Sequence, residues 1–597
     1  MKNITKEQAE KFKKLGIESV SELSLLIPHT YEDYRIHDRL MPHAQIIDAT
    51  VETVYRAPNS LQITFFAHNL GYRVQGVLFR VKPYMLHQFV VGSRDYYYGK
   101  VECKSGRCSV SMPKKVTQVG SVVAKYKTPL RNDVMQRLVA TLLTQENLAK
   151  EGIPKKYIEK VLALHLNLQS IGNTKELDKA TLHALKYIEL HNFMKKLAHK
   201  RRYFEAKVSI AGEYKSWAKT LPFTLTQEQC MAIEDIQKDL AKEVAAKRMI
   251  VGDVGSGKTM VILATAQMMA PNRSILMAPT TILANQLYEE ARKYLPHLKT
   301  TLVTNKTKKV SLEEYDFIIG THALLYRELP DAAVVMVDEQ HRFGTAQRNL
   351  LEKLVSESKK KPHYLQFSAT PIPRTLAMIE SAHVDVSLIT STPFKKVIDS
   401  KVIHKSDFTQ LLEHIRHETE QGRQVLLVYP LVEQSEALNY QSIEEARGYW
   451  EKHFEDVYVT HGKDKAKENV LLEFRQKGKI LIATTVVEVG ISLPRLSTVV
   501  IVGAERLGLS TLHQLRGRVS RTGLKGYCFL YTNQEKSERL DDFVKTTNGF
   551  DIANLDLQYR QSGDLLKGIQ QSGGQFQWID FANDSEIVGE VKRDLSF

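Results

Sequence analysis

Residues 252–259 read GDVGSGKT, with glycines at 252, 255 and 257, a lysine at 258 and a hydroxyl at 259. Glycines at this spacing let backbone N–H groups turn inward around phosphate oxygens. Gly252, Gly255, Ser256 and Gly257 would form the cradle. Lys258 would set a point charge on the β- and γ-phosphates, and Thr259 would offer its hydroxyl to Mg²⁺. Further along, the apolar run VVMV ends in Asp338 and Glu339. Two carboxylates at a strand end suit a cation and a water, Asp338 to hold Mg²⁺ and Glu339 to orient and polarise the attacking water. A third cluster, QLRGRVSR at 514–521, carries Arg516, Arg518 and Arg521 with no acidic run beside it. Guanidinium groups pair bidentately with phosphate or carboxylate, so their counter-charge has to come from elsewhere in the fold. The first two clusters imply nucleotide hydrolysis, a signature that kinases, transporters and motors all carry.

These side chains need strands and helices to hold them. The phosphate motif follows the apolar RMIV and precedes a helical pattern, the context that such a loop requires. From about 216 the runs ILMAPT, FIIGTH, VVMVDE and LQFSAT are short, apolar and end in polar residues. Parallel strands covered on both faces have this look, with chemistry at their carboxyl ends. A second series, QVLLVYP, VYVTHG, ILIATT, TVVIVGA and YCFLY, follows a linker-like TSTPFKK near 392. The expected architecture is multidomain. Short helices occupy 1–45, a small OB-like β-barrel 46–125 and a helical segment 126–215. Two α/β domains occupy 216–392 and 393–531, and a less periodic Gln/Gly-rich region 532–597. Thr5 and Gln8 have the spacing of a capping box for a first helix ending near Gly16.

A chain of 597 residues exceeds one hydrophobic core. Lys plus Arg number 83 against 68 for Asp plus Glu, a formal charge of +15 that favours polyanions, nucleic acid foremost. The sequence has no 18-residue apolar stretch and no apolar leader, which predicts no membrane span, no secretion and a cytoplasmic location. Cys103, Cys108, Cys230 and Cys528 are too few and too scattered for a disulfide framework. Cys103 and Cys108 flank a KSGR hairpin turn and lack a second Cys or His pair to complete a zinc site.

DEQH at 338–341, SAT at 368–370 and QLRGRVSR at 514–521, in this order, resemble superfamily-two helicases, whose core is two RecA-like domains with ATP between them. LPFTLTQEQ, APTTILANQ, GTHAL, SATPIPRTLAM, ATTVVEVG and ERLGLSTLHQLRGRVSR narrow this to a resemblance to the RecG family of bacterial branched-DNA helicases. LLIPHTYEDYR near the start and DLQYRQSGDLLKGIQQSG near the end extend it over nearly the whole chain.

The resemblance implies tandem RecA-like α/β motor domains preceded by an OB-like β-barrel wedge and helical segments. It implies ATP and Mg²⁺ as cofactors, and branched and double-stranded DNA (forks, Holliday junctions, D- and R-loops) as substrate. It also implies a monomer, with single-stranded DNA-binding protein as a candidate partner. Arg518 and Arg521 match arginines that reach the γ-phosphate from the second domain when the two domains close. Gln229 matches a glutamine that reads the adenine edge, with Phe223 packing nearby. Gln340 and His341 would couple the nucleotide site to Ser368 and Thr370. Thr280, Thr321 and His322 would touch DNA phosphates, and Thr484, Thr485, Glu488 and Gln514 would carry nucleic-acid and interdomain contacts of the second domain. Arg560 and Gln571 match a translocation hairpin over 556–571, shared with the transcription-repair coupling factor. Phe79 and Tyr84 match the wedge aromatics, although aromatic strand residues also serve as barrel core.

The sequence departs from the family pattern at three places. Ser492 stands where an aspartate is usual, Gln570 where an arginine is usual, and Ser520 where a glycine is usual, the last tolerable unless φ is positive there. Arg516 has no family role; an interdomain or a core-facing salt bridge suits it equally. Two other readings were weighed. For a coupling translocase no polymerase-binding module is evident, while DEQH in place of DEAD and the front barrel speak against an RNA helicase. A non-hydrolysing DNA scaffold is opposed by intact Lys258, Asp338, Glu339, Arg518 and Arg521.

Overall fold

The computed structural model describes residues 5–595 except 59, 83–85, 167–176, 211, 309–310, 345, 348–349, 351–358, 395–396, 431–439, 463, 465, 486–492, 521–522 and 568–575. The side chains of 341 and 560–567 are likewise outside the description. The chain divides into two compact units, 1–195 with 576–579, and 196–575 with 580–597.

In the first unit Thr5 and Gln8 do form a capping box on the helix Lys6–Lys14, and Ser19 with Glu22 forms another on Val20–Leu25. Glu151 accepts from the N–H groups of Val20 (2.9 Å) and Ser21 (2.8 Å) and so ties these helices to the helical segment that follows the sheet. Seven strands lie in the order Val101–Lys104, Arg107–Ser111, Tyr72–Phe79, Ser60–Ala67, Gln45–Ala57, Arg94–Gly99, Lys114–Val116. Alternation puts Ile47, Val51, Leu61, Ile63, Phe65, Val74, Tyr97 and Val110 on one enclosed core. A register shift at Val51/Thr53 bends the longest strand, as wrapping a sheet around so small a core requires. Cys103 and Cys108 sit directly opposite one another in the hairpin and are joined by a disulfide. This is a single bridge and no framework: a framework needs several bridges, but one hairpin needs only two facing thiols.

The second unit holds two parallel sheets. The first runs Thr300–Val303, Phe317–Gly320, Ser274–Met277, Val334–Asp338, His363–Ser368, Lys247–Gly252, Asp385–Ile389. The second runs Ile398–Ile403, Gly526–Tyr531, Leu496–Val502, Gln424–Val428, Ile480–Ala483, Val457–Thr460. Every apolar run assigned to a strand in these domains is one, and each central strand is buried on both faces. This is the tandem RecA-like arrangement. The region after 532 is more regular than its composition suggested: helices Glu538–Lys545, Gly549–Lys567 and Ser585–Asp594 fill much of it. Its apolar spacing is helical, but Gln and Gly dilute the pattern. No helix among the described residues is long and apolar enough to cross a membrane.

Candidate active site

The strand Lys247–Gly252 delivers the chain into a loop that ends at the helix Lys258–Met269, whose N-terminal N–H groups face the loop. Gly257 has φ +78, and a Cβ there would lie 2.2 Å from Gln229 Nε2; only glycine permits both the turn and that approach. Ser256 Oγ is fully buried and has no hydrogen-bond partner among the described residues. A buried hydroxyl in that condition costs free energy unless a ligand satisfies it. Lys258 Nζ donates to the carbonyls of Gly252 (2.8 Å) and Asp253 (3.1 Å). The ammonium therefore rests on the loop that would present it to a phosphate.

Asp338 ends the strand Val334–Asp338, one strand removed from Lys247–Gly252, and is buried, and its Oδ1 has no hydrogen-bond partner among the described residues. Burial and the adjacent Glu339 charge push its carboxyl well above the ordinary carboxylate range, against the pull of Lys258. A buried acid carrying an unused oxygen beside a phosphate loop fits a hard cation, with Thr259 supplying the hydroxyl from across the loop. Glu339 sits at φ +51, a left-handed conformation unusual for this residue type. Its N–H donates to Phe367 O (2.8 Å) and its Oε1 accepts from Ala369 N–H (2.5 Å). Together these bonds hold the carboxylate against the Ser368–Ala369–Thr370 turn.

The second domain meets this loop through the helix Leu509–Arg516. His513 Nε2 lies 2.5 Å from Asp253 Oδ1. Gln514 Nε2 donates to Thr370 Oγ1 (2.7 Å), and Gln514 Oε1 accepts from Arg342 (2.8 Å). A Cβ at Gly517 would lie 2.9 Å from Val254, so the turn that carries Arg518 is packed on the phosphate loop. Arg518 itself is buried. Among the described residues Arg516 makes neither of the salt bridges that suited it from sequence. It donates to the carbonyls of Phe543 (3.1 Å) and Thr546 (2.8 Å), with its guanidinium 4.2 Å from the Phe543 ring centroid.

A scan against family models matches residues 226–379 to the DEAD/DEAH box helicases and 406–523 to the helicase conserved C-terminal domain. An ATP-dependent DNA helicase RecG of Helicobacter pylori is 44% identical over 602 residues, 98% of this chain and 97% of the relative. The chain belongs to the RecG family of ATP-dependent DNA helicases. An Aquifex aeolicus RecG is 33% identical over all of this chain and 83% of its own length. The structure of RecG bound to a three-way DNA junction matches the full chain at a TM-score of 0.58, with 26% identity and 84% of that chain covered.

Within this RecG-family frame some expected site residues lie elsewhere than anticipated. Gln229 is no surface residue: its Oε1 accepts from Thr226 N–H (2.8 Å) in a capping box, and its Nε2 donates to Ser256 O (2.8 Å). One end of the amide thus closes the helix cap and the other braces the loop, and each end keeps a second donor or acceptor that an adenine edge could use. Phe223 packs edge-to-face on Tyr294. Thr321 is buried and its hydroxyl accepts from Ala323 N–H (3.4 Å), and the half-buried His322 beside it is the more accessible. Thr280 caps the helix Thr281–Tyr294. The link from the nucleotide site to the SAT turn runs through Glu339 and Gln514, and Gln340 instead meets Gln366. Phe79 is 53% exposed, which removes it from the barrel core. Thr485 is half-buried, two residues beyond the strand Ile480–Ala483. Tyr84, Glu488, Ser492, Arg521, Gln570, Gln571 and the side chains of His341 and Arg560 lie outside the described residues.

Sequence reasoning passed over Asp253, Arg342, His513 and Gly549. The one available signal was an acid set inside a glycine-rich phosphate loop, where it adds nothing to anion binding. Ser520 has φ +63, so the substitution for glycine falls where a side chain is strained. Ser520→Gly should raise the unfolding free energy of the second domain, read from urea melts, by about 0.5 kcal/mol after the extra unfolded-chain entropy of glycine is offset.

Proposed function

We propose that this chain couples ATP hydrolysis to the movement of duplex DNA and remodels branched DNA, as forks and junctions require. The observation that carries the reading is the contact of one helix of the second domain with both the phosphate loop and the SAT turn of the first. Gly252, Gly255, Ser256, Gly257 and Lys258 bind the triphosphate. Thr259 and Asp338 hold Mg²⁺, which supplies charge neutralisation to the phosphates when bound. Glu339 orients the water, and Arg518 and Arg521 complete the γ-phosphate site from the second domain. Closure around ATP is transmitted to DNA contacts at Thr280, His322 and Thr485, with Ser368, Thr370 and Gln514 in the linkage between domains. The domain limits, the translocation role of Arg560 and Gln571, and base stacking on Phe79 and Tyr84 belong to the same proposal. An exposed aromatic can hold an unpaired base with about 1–3 kcal/mol. The chain works as a monomer, since one polypeptide supplies both motor domains.

The test compares ATP hydrolysis with forks, four-way junctions, plain duplex and single-stranded RNA. Forks or junctions should stimulate turnover most and RNA least, and DNA binding should weaken steeply between about 50 and 200 mM salt because phosphate contacts dominate. Equal stimulation by RNA and by forks would refute the reading.

A further inference from the structure

Asp253 is the acid inside the phosphate loop that the chemistry above does not use. It is buried, and its carboxylate takes three hydrogen bonds: from its neighbour Val254 N–H (2.6 Å), from His513 Nε2 (2.5 Å) and from Gly549 N–H (2.9 Å). Burial opposes its ionisation, yet these bonds hold the carboxyl below its ordinary range. Gly549 is the first residue of the helix Gly549–Lys567, and any side chain there would collide with Asp253, since a Cβ would lie 2.6 Å from Oδ1.

The partners are held as firmly as the acid. Arg516 donates to His513 Nδ1 (3.4 Å). A guanidinium can only donate, so Nδ1 accepts and the His513 proton lies on Nε2, directed at Asp253. The same Arg516 gathers the carbonyls of Phe543 and Thr546, just before Gly549. Asp556, about two turns into the long helix, accepts from Leu509 N–H (3.2 Å) at the start of the helix that bears His513. The two helices are thus tied to one another, and Asp253 joins both to the phosphate loop. Asp253 also owns one of the carbonyls to which Lys258 Nζ donates.

We infer that Asp253 is a positioning residue that reports occupancy of the phosphate loop directly to the helix Gly549–Lys567, through Gly549 N–H and His513. A triphosphate draws Lys258 off the Gly252 and Asp253 carbonyls. The 252–253 peptide then reorients, and the carboxylate releases Gly549. The long helix thus receives the nucleotide signal at its first residue, without passing through the arginines that complete the γ-phosphate site. This deepens the proposed ATP-driven movement and rests on that reading for its consequence on DNA, though not for the signal itself.

The experiment has two arms. In the first, which uses no DNA, amide hydrogen exchange across 546–552 is followed with and without a non-hydrolysable ATP analogue. The analogue should speed exchange at Gly549 by about tenfold in the natural chain, and by less than about twofold in Gly549→Ala and His513→Ala, neither of which lies in the phosphate cradle. Exchange at Gly549 that ignores the analogue in the natural chain overturns the inference, whatever DNA does. In the second arm, the number of fork molecules remodelled per ATP hydrolysed should fall about tenfold in both variants while ATP affinity stays within about twofold of the natural chain. Loss of melting temperature together with an unchanged ratio would show a merely structural contact and also overturn it. Failure of the natural chain to act on forks, with the exchange signal intact, would sink the branched-DNA reading and leave the relay standing.

Discussion

Arg518→Ala is expected to lower DNA-stimulated ATP turnover by about 10³-fold while leaving ATP binding to the isolated phosphate loop largely in place. The size follows from where the charge acts. A guanidinium aimed at the γ-phosphate stabilises charge that accumulates only as the bond to the leaving phosphate lengthens, so its loss raises the barrier more than it weakens the ground state. The turn that carries Arg518 is packed on Val254 of the loop, and Arg518 is buried there. A buried guanidinium is preorganised and loses little side-chain entropy when it engages phosphate. Lysine is no substitute, because a point charge cannot reproduce the planar fork, so Arg518→Lys should recover only a small part of the rate. Single-turnover kinetics with separately measured nucleotide affinity checks this: a variant that loses binding and turnover in proportion would place Arg518 outside the γ-phosphate site.

Asp338→Asn should produce two effects of opposite sign. ATP turnover at neutral pH should fall by about 10²-fold or more, and excess Mg²⁺ should only partly restore it, because the amide is a poor ligand for a hard cation. The cation-free variant should nevertheless be more stable than the natural chain at alkaline pH. Burial and Glu339 raise the Asp338 carboxyl in the folded state. Stability from such a raised acid is fully present below the unfolded value of about 3.9 and is lost as pH rises through the folded one. Asparagine never ionises and removes that loss. The same shift makes cation binding compete with a proton, so the acid limb of the natural chain's ATPase profile should lie nearer neutrality than a free carboxylate would put it, and Mg²⁺ should move it to lower pH. Melting curves in chelator at pH 5 and pH 9, beside the ATPase profile, decide the matter; an asparagine variant less stable than the natural chain at pH 9 would exclude the buried-charge explanation.

Much of the motor was readable before any coordinates. Parallel strands buried on both faces must be short apolar runs, and those that carry chemistry must end in polar residues. VVMVDE and LQFSAT announce both properties locally, and GDVGSGKT needs only its flanking strand and helix to be recognised. The sites of strain were legible in kind and not in fact: Ser520 in place of glycine became informative only once φ proved positive. The region after 532 was misjudged because helical spacing is faint where Gln and Gly interrupt it, and the Cys103–Cys108 bridge because facing thiols follow from strand register.

The residue types at 252–259 and 338–339 pointed by themselves to nucleoside triphosphate hydrolysis, whereas the role of the arginines at 514–521 followed only from the resemblance to superfamily-two helicases. Tertiary structure alone decided which partner each side chain takes. Arg516 turned out to hold backbone carbonyls, Thr321 to cap a turn, Gln229 to brace the loop, and Asp253 to join His513 and Gly549, 260 and 296 positions away. Local pattern reflects backbone periodicity, which is set by near neighbours; a hydrogen bond between two domains depends on the packing of every element between them.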